Sequence, residues 1–196
     1  MRLCFHTIPQ AKCNLWFVER FKRITSTIAL ELYNTWKSKR LSVEDRDEKI
    51  LQLFKGRSIK PKSKVNPAMD YGNKHEENAR KEYCKKTKNT VVDVGMIVKH
   101  KFDWLSGSPD GLIENSENFE DFGLLEIKCI YRCRDDDKID ECKDFLDKNG
   151  NLRQSHSYYT QVQLNAWITG AKFIHLFLYT PQDCRIVEVE LDMPHV

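Results

Sequence analysis

The sequence contains no apolar run near the roughly 20 residues that a bilayer-spanning helix needs, which speaks against a membrane protein. Met1 to Pro9 lack the apolar middle of a secretory signal, so the chain is expected inside the cell, in nucleus or cytoplasm. Its seven cysteines form no CxxC pair, and an odd number outside a secretory context does not suggest a disulfide framework. Cys129, Cys133 and Cys142 are dense enough to consider a zinc or iron–sulfur site. Their spacing fits no standard template, and reduced structural thiols are the simpler expectation. Net charge is scarce too. At a formal +3, it does not announce a nucleic-acid binder. Internal repeats and low-complexity tracts are missing.

What is present suits a globular chain. Hydrophobic residues make up 40% of the 196 positions and aromatics 11%, enough for a core, while 31% charged residues supply a solvated surface. The length fits one domain over 1–196, with a helical segment over about 14–64 ahead of a catalytic core over about 67–192. Lys55, Arg57, Lys60, Lys62 and Lys64 have no acid among them, so this stretch reads either as a solvated loop or as a phosphate contact.

Periodicity places the elements. Leu15, Val18, Phe21, Ile28, Leu32 and Trp36 suggest one or two helical segments over 14–37, and 42–54 adds a short helix. Pro67 suits the first turn of a helix running to about Lys86. In it Gly72, Glu76, Ala79 and Tyr83 share one stripe, so Glu76 faces inward and needs a partner. Strands are expected over 91–99, 102–108, 110–113 and 124–129. A helix over 155–169 stops at Gly170, and strands over 173–179 and 185–191 follow. This order describes an α/β or α+β sandwich with a mixed sheet.

One constellation carries chemistry. Ser108-Pro109-Asp110-Gly111 precedes Glu126-Ile127-Lys128, with Asp110 sixteen residues before Glu126. Strand side chains alternate, so Glu126 and Lys128 project from one face and Leu125 and Ile127 from the other. If the strands before and after the intervening turn pair as a hairpin, Asp110 reaches the same place. Two adjacent carboxylates repel, and a divalent cation removes the conflict; oxygen ligands suit Mg2+ or Mn2+. The lysine supplies a compact cation beside an attacking water, and the whole describes metal-assisted phosphodiester hydrolysis.

Several blocks in order resemble the YqaJ-type viral recombinase family, which includes lambda exonuclease and related alkaline nucleases. They are Gly72-x3-Glu76-x2-Ala79-x3-Tyr83, Gly107 to Leu112, Leu125 to Cys129, and His156 to Gln163 with Tyr158, Tyr159 and Gln161. A further match, Trp16-x3-Arg20 followed by Ile24 to Thr27, extends the resemblance towards the N-terminus. The resemblance implies a restriction-endonuclease-like PD-(D/E)xK core, a mixed central sheet flanked by helices with the site at one sheet edge. It implies a Mg2+-dependent nuclease, favouring a 5′→3′ exonuclease on duplex DNA ends in recombination or replication. An endonuclease or resolvase with the same centre, a non-catalytic DNA-binding module and an RNA-directed enzyme stay open. Asp110, Glu126 and the backbone carbonyl of Ile127 would hold metal, Lys128 would act on water, and Glu76 would hold a second metal or its water. Gln161 would fall near the metal, on a helix face shared with Tyr158 and Asn165, and is favoured over Gln163 as the catalytic glutamine. Arg20, Thr27 (where the family carries serine) and Ser108 would hold a 5′-phosphate, although Arg20 equally suits an exposed helical face. A single-strand-annealing or recombination protein is an implied partner, and an oligomer is compatible without being required. Members that form rings continue further past their last strand than Val196.

Overall fold

The computed structural model describes residues 2–8, 10–55, 66–115, 118, 120–135, 139 and 144–192. Of the basic stretch, only Lys55 falls among them; Arg57, Lys60, Lys62 and Lys64 lie outside the described residues, as does Cys142. The helices are α1 (Arg2–His6), α2 (Asn14–Phe21), α3 (Ala29–Lys37), α4 (Val43–Lys55), α5 (Pro67–Thr87) and α6 (Ser157–Thr169). The strands are β1 (Ile24–Thr25), β2 (Val91–Val92), β3 (Ile97–Lys99), β4 (Phe102–Gly107), β5 (Gly111–Ile113), β6 (Gly123–Cys129), β7 (Phe173–Tyr179) and β8 (Cys184–Val189).

Two mixed sheets form, ordered β1-β4-β3 and β2-β5-β6-β7-β8. β1 pairs with β4 in parallel and β6 with β7 in parallel, and the other pairings are antiparallel. The segment 91–99, expected as one β-rich run, divides between the sheets: β2 joins the larger and β3 the smaller. Gly95 lies at the division. A side chain there would come within 2.3 Å of Cys4 O and Thr7 Oγ1, so the backbone passes where only glycine fits.

Alternation on the central strands builds two cores. On one face Leu124, Ile174, Leu176 and Leu178 pack with Val162 and Ala166 of α6. On the other, Leu125, Ile127 and Phe177 pack with Ala79 and Tyr83 of α5. A third cluster joins Leu105 of the smaller sheet to Leu164 and Ile168 of α6. Helix α6 is therefore held between the two sheets and is buried almost all round. Its polar residues Gln161, Gln163 and Asn165 must then find partners inside the protein.

The long helices carry conventional ends. The Asn66 side chain accepts from Ala68 N at 2.9 Å with Pro67 in the first turn of α5, and Gly170 closes α6 with φ 84°. Among the described residues, no helix is long and apolar enough to cross a membrane.

Candidate active site

β5 and β6 form the antiparallel hairpin that the sequence required, with Gly111 opposite Leu125. Asp110, just ahead of β5, is thereby delivered to β6, and its Oδ2 accepts the Ile127 N–H at 2.6 Å. Leu124 of β6 belongs to the core beneath α6, so Glu126 and Lys128, two and four residues on, face that helix. Lys128 Nζ donates to Glu126 Oε1 at 2.8 Å. From α6, Gln161 Nε2 also donates to Glu126 Oε1, and Asn165 Nδ2 reaches Glu126 Oε2 at 3.4 Å. Gln163 turns the other way, donating to Glu190 O at 2.6 Å and accepting from Asp192 N at 2.9 Å. The site thus grows from β6, the middle strand of its sheet, in place of the sheet edge expected from sequence.

Burial sets the electrostatics. Glu126 is 2% exposed, and burial, reinforced by the Asp110 charge, pushes its carboxyl up to about 7 against the pull of Lys128. Burial also raises Asp110, with the Lys128 charge and the Ile127 N–H opposing. Desolvation works against the Lys128 ammonium, but Glu126 and Asp110 outweigh it and hold Lys128 well above the usual lysine value. The Lys128 ammonium also lies over the Tyr158 ring, 4.6 Å from its centroid. Glu76 lines the same cavity, and its carboxyl is raised by burial and by Asp110, with Arg80, Lys12 and Lys128 opposing.

The remaining residues named from sequence line this same cavity of about 620 Å³. Arg20 lies across the Trp16 ring, 4.4 Å from its centroid, and donates to Thr27 Oγ1 at 3.0 Å. Trp16 in turn donates its indole N–H to Ser108 Oγ at 3.0 Å. Arg20, Thr27, Glu76, Ser108, Asp110, Glu126, Ile127, Lys128 and Gln161 all line the one cavity. A larger apolar groove of about 1070 Å³ lies along α3, and its only charged lining residue among those described is Lys37. The charged and polar site residues named from sequence line the smaller cavity.

Sequence reasoning missed the double role of Trp16, because an indole N–H contact across 92 residues leaves no local signature. It also passed over Gln10 and Arg80. Gln10 Nε2 donates to Pro109 O at 2.8 Å, and Arg80 Nη2 donates to Asp110 O. His156 caps α6, its Nδ1 accepting from Tyr158 N at 3.2 Å, while the residue lines the cavity.

The donor set fits a hard divalent cation. The half-buried Asp110 and the buried Glu126 carboxylates repel each other and share one ammonium, and added positive charge would relieve both. Among the described residues, no three His, Cys, Asp or Glu side chains could hold one ion together. A cation here would therefore draw on Asp110, Glu126, backbone carbonyl and water. A sulfur site does not fit. Burial pushes the Cys129 thiol up to about 12, Cys133 is disulfide-bonded and Cys142 is not among the described residues. The bonded Cys133 is an exception to the expectation of reduced thiols; Cys4, Cys13, Cys84, Cys129 and Cys184 are free.

This fold and site place the chain in a class. Residues 15–172 match the YqaJ-like viral recombinase domain, and the chain belongs to that family. The architecture is the restriction-endonuclease-like fold of the alkaline exonucleases. It is similar to the crystal structure of an alkaline exonuclease (LHK-Exo) from Laribacter hongkongensis, at 21% identity and TM-score 0.59, covering 89% of this chain and 81% of that one. The same exonuclease in complex with dAMP gives 23% identity and TM-score 0.63, covering 92% and 83%. No curated protein matches the chain.

Proposed function

We propose that this protein is a metal-dependent deoxyribonuclease, favouring a 5′→3′ exonuclease that acts on duplex ends in recombination or replication. One observation carries the reading. A buried Glu126, with Lys128 against it and the half-buried Asp110 beside it, shares a single cavity with Arg20, Thr27 and Ser108. Asp110, Glu126 and the Ile127 carbonyl would hold Mg2+, or Mn2+ in its place, and Glu76 would hold a second ion or its water. When bound, such an ion polarises the phosphate and lowers the pKa of a water.

The chain's own groups do the rest. Lys128, held well above the usual lysine value, serves as a fixed cation that orients the attacking water and balances charge on the phosphoryl oxygens. Gln161 and Asn165 hold the Glu126 carboxylate from α6. In the same cavity, Arg20 is held over the Trp16 ring, and with the hydroxyls of Thr27 and Ser108 it forms a group suited to a terminal phosphate. A phosphate grip beside the scissile position favours action from an end. That a protein of this fold crystallises with dAMP, a nucleotide that DNA hydrolysis can release, also supports the reading.

Linear duplex DNA and closed circular DNA of the same sequence, each with and without Mg2+, test the proposal. Mg2+-dependent loss of the linear form alone is expected. Cutting of both forms would replace it with the endonuclease or resolvase reading. Binding without cutting in either Mg2+ or Mn2+ would replace it with a non-catalytic DNA-binding module.

A further inference from the structure

We infer that Gln10 is a positioning residue for the Asp110 carboxylate, set there by an N-terminal strap lying ahead of the family-matched span; the inference rests on the metal-dependent reading above. The strap runs from α1 through the short 3-10 turn Gln10–Lys12. Its first anchor is Thr7, fully buried, whose Oγ1 accepts the Met96 N–H at 2.8 Å and donates to Leu3 O at 2.7 Å. The bare Gly95 backbone is what lets the strap lie this close.

The second anchor reaches the site. Gln10 Nε2 donates to Val94 O at 3.0 Å and to Pro109 O at 2.8 Å, bridging the segment before β3 and the residue before Asp110. Gln10 adopts φ 44°, a left-handed backbone that a residue with a side chain takes only when its surroundings dictate it. The Gln10 N–H is held by Thr7 O at 2.8 Å, and the Gln10 carbonyl accepts from Cys13 N at 2.9 Å, so the amide is aimed from both sides.

The consequence lies in the Ser108-Pro109-Asp110 turn. It is fastened residue by residue, with Ser108 held by Trp16, the Pro109 carbonyl by Gln10 and the Asp110 carbonyl by Arg80. Proline has no N–H, so its carbonyl, part of the peptide to Asp110, is the one backbone polar group that Pro109 itself offers. That peptide links directly to Asp110, whose carboxylate faces Glu126. Gln10 touches neither carboxylate; it acts through this turn, as a second-layer partner does when it orients a metal ligand.

Calorimetric titration of the protein with Mn2+ tests the inference without relying on activity. Gln10→Met, of similar length but without a donor, is expected to weaken Mn2+ binding about tenfold, the lower end of the effect of losing such a partner. Gln10→Asn keeps the amide one methylene short and is expected to weaken it less. Thr7→Val, which loosens the strap one anchor further from the turn, is expected to lower thermal stability and to weaken Mn2+ binding less than Gln10→Met does. Wild-type affinity in a folded Gln10→Met would overturn the inference, and so would failure of both Gln10 variants to fold, which would make Gln10 part of the scaffold. If the wild-type protein itself binds no Mn2+, the metal-dependent reading falls and this inference with it, a result distinguishable from loss of the inference alone.

Discussion

At the residue scale the account rests on a carboxylate pair kept out of water. Burial holds the Glu126 carboxyl at about 7, above the ordinary 4.5, so the folded, metal-free protein retains a proton that the unfolded chain has lost over this interval. The sign follows. The stability tied to this group is fully present below the ordinary carboxylate range and is lost as pH rises through about 7. Denaturation in chelator should therefore show falling stability from pH 5 to pH 8, a trend made shallower in Glu126→Gln. Mg2+ needs the ionised carboxylates, so its stabilising effect should grow over the same interval. A pH-independent Mg2+ effect would contradict the picture of a carboxylate pair that releases a proton on binding.

At the element scale, β6 shows how much was legible in advance. Alternation placed Glu126 and Lys128 on one face and Leu125 and Ile127 on the other, and the two cores divide in that way. The inward stripe of α5 was legible for the same reason, since Ala79 and Tyr83 are fully buried and Glu76 points into the cavity beside them. The strap was not legible. Thr7 and Gln10 act through partners 84 to 99 residues away, and no periodicity in residues 2–12 reports such contacts. Nor was the division of 91–99, which depends on the N-terminal segment lying against Gly95. The sandwiching of α6 hides in composition too: Gln161, Gln163 and Asn165 read as polar, yet all three are buried and bonded. Phe177 tests the packing that carries β6. It is fully buried against Leu125, Ile127 and Tyr83, so Phe177→Ala should cost about 3–5 kcal/mol in chemical denaturation. A cost below about 1 kcal/mol would mean that the α5 face does not support the catalytic strand in this way.

At the scale of the whole molecule, the two sheets do different work around one helix. The larger sheet presents Glu126 and Lys128, the smaller ends at Gly107 just before Ser108, and α6 between them holds Glu126 through Gln161 and Asn165. The Trp16–Arg20 pair of α2 lines the same cavity. The most direct measurement is the rate of nucleotide release from linear duplex DNA in Mg2+ by the wild-type protein and by Lys128→Ala, alongside Mn2+ titration of both. The account predicts a Mg2+-dependent wild-type rate and a loss of about 10³-fold in the variant, as for removal of one fixed charge-stabilising group, with Mn2+ still bound. A variant that releases nucleotides at the wild-type rate would contradict it.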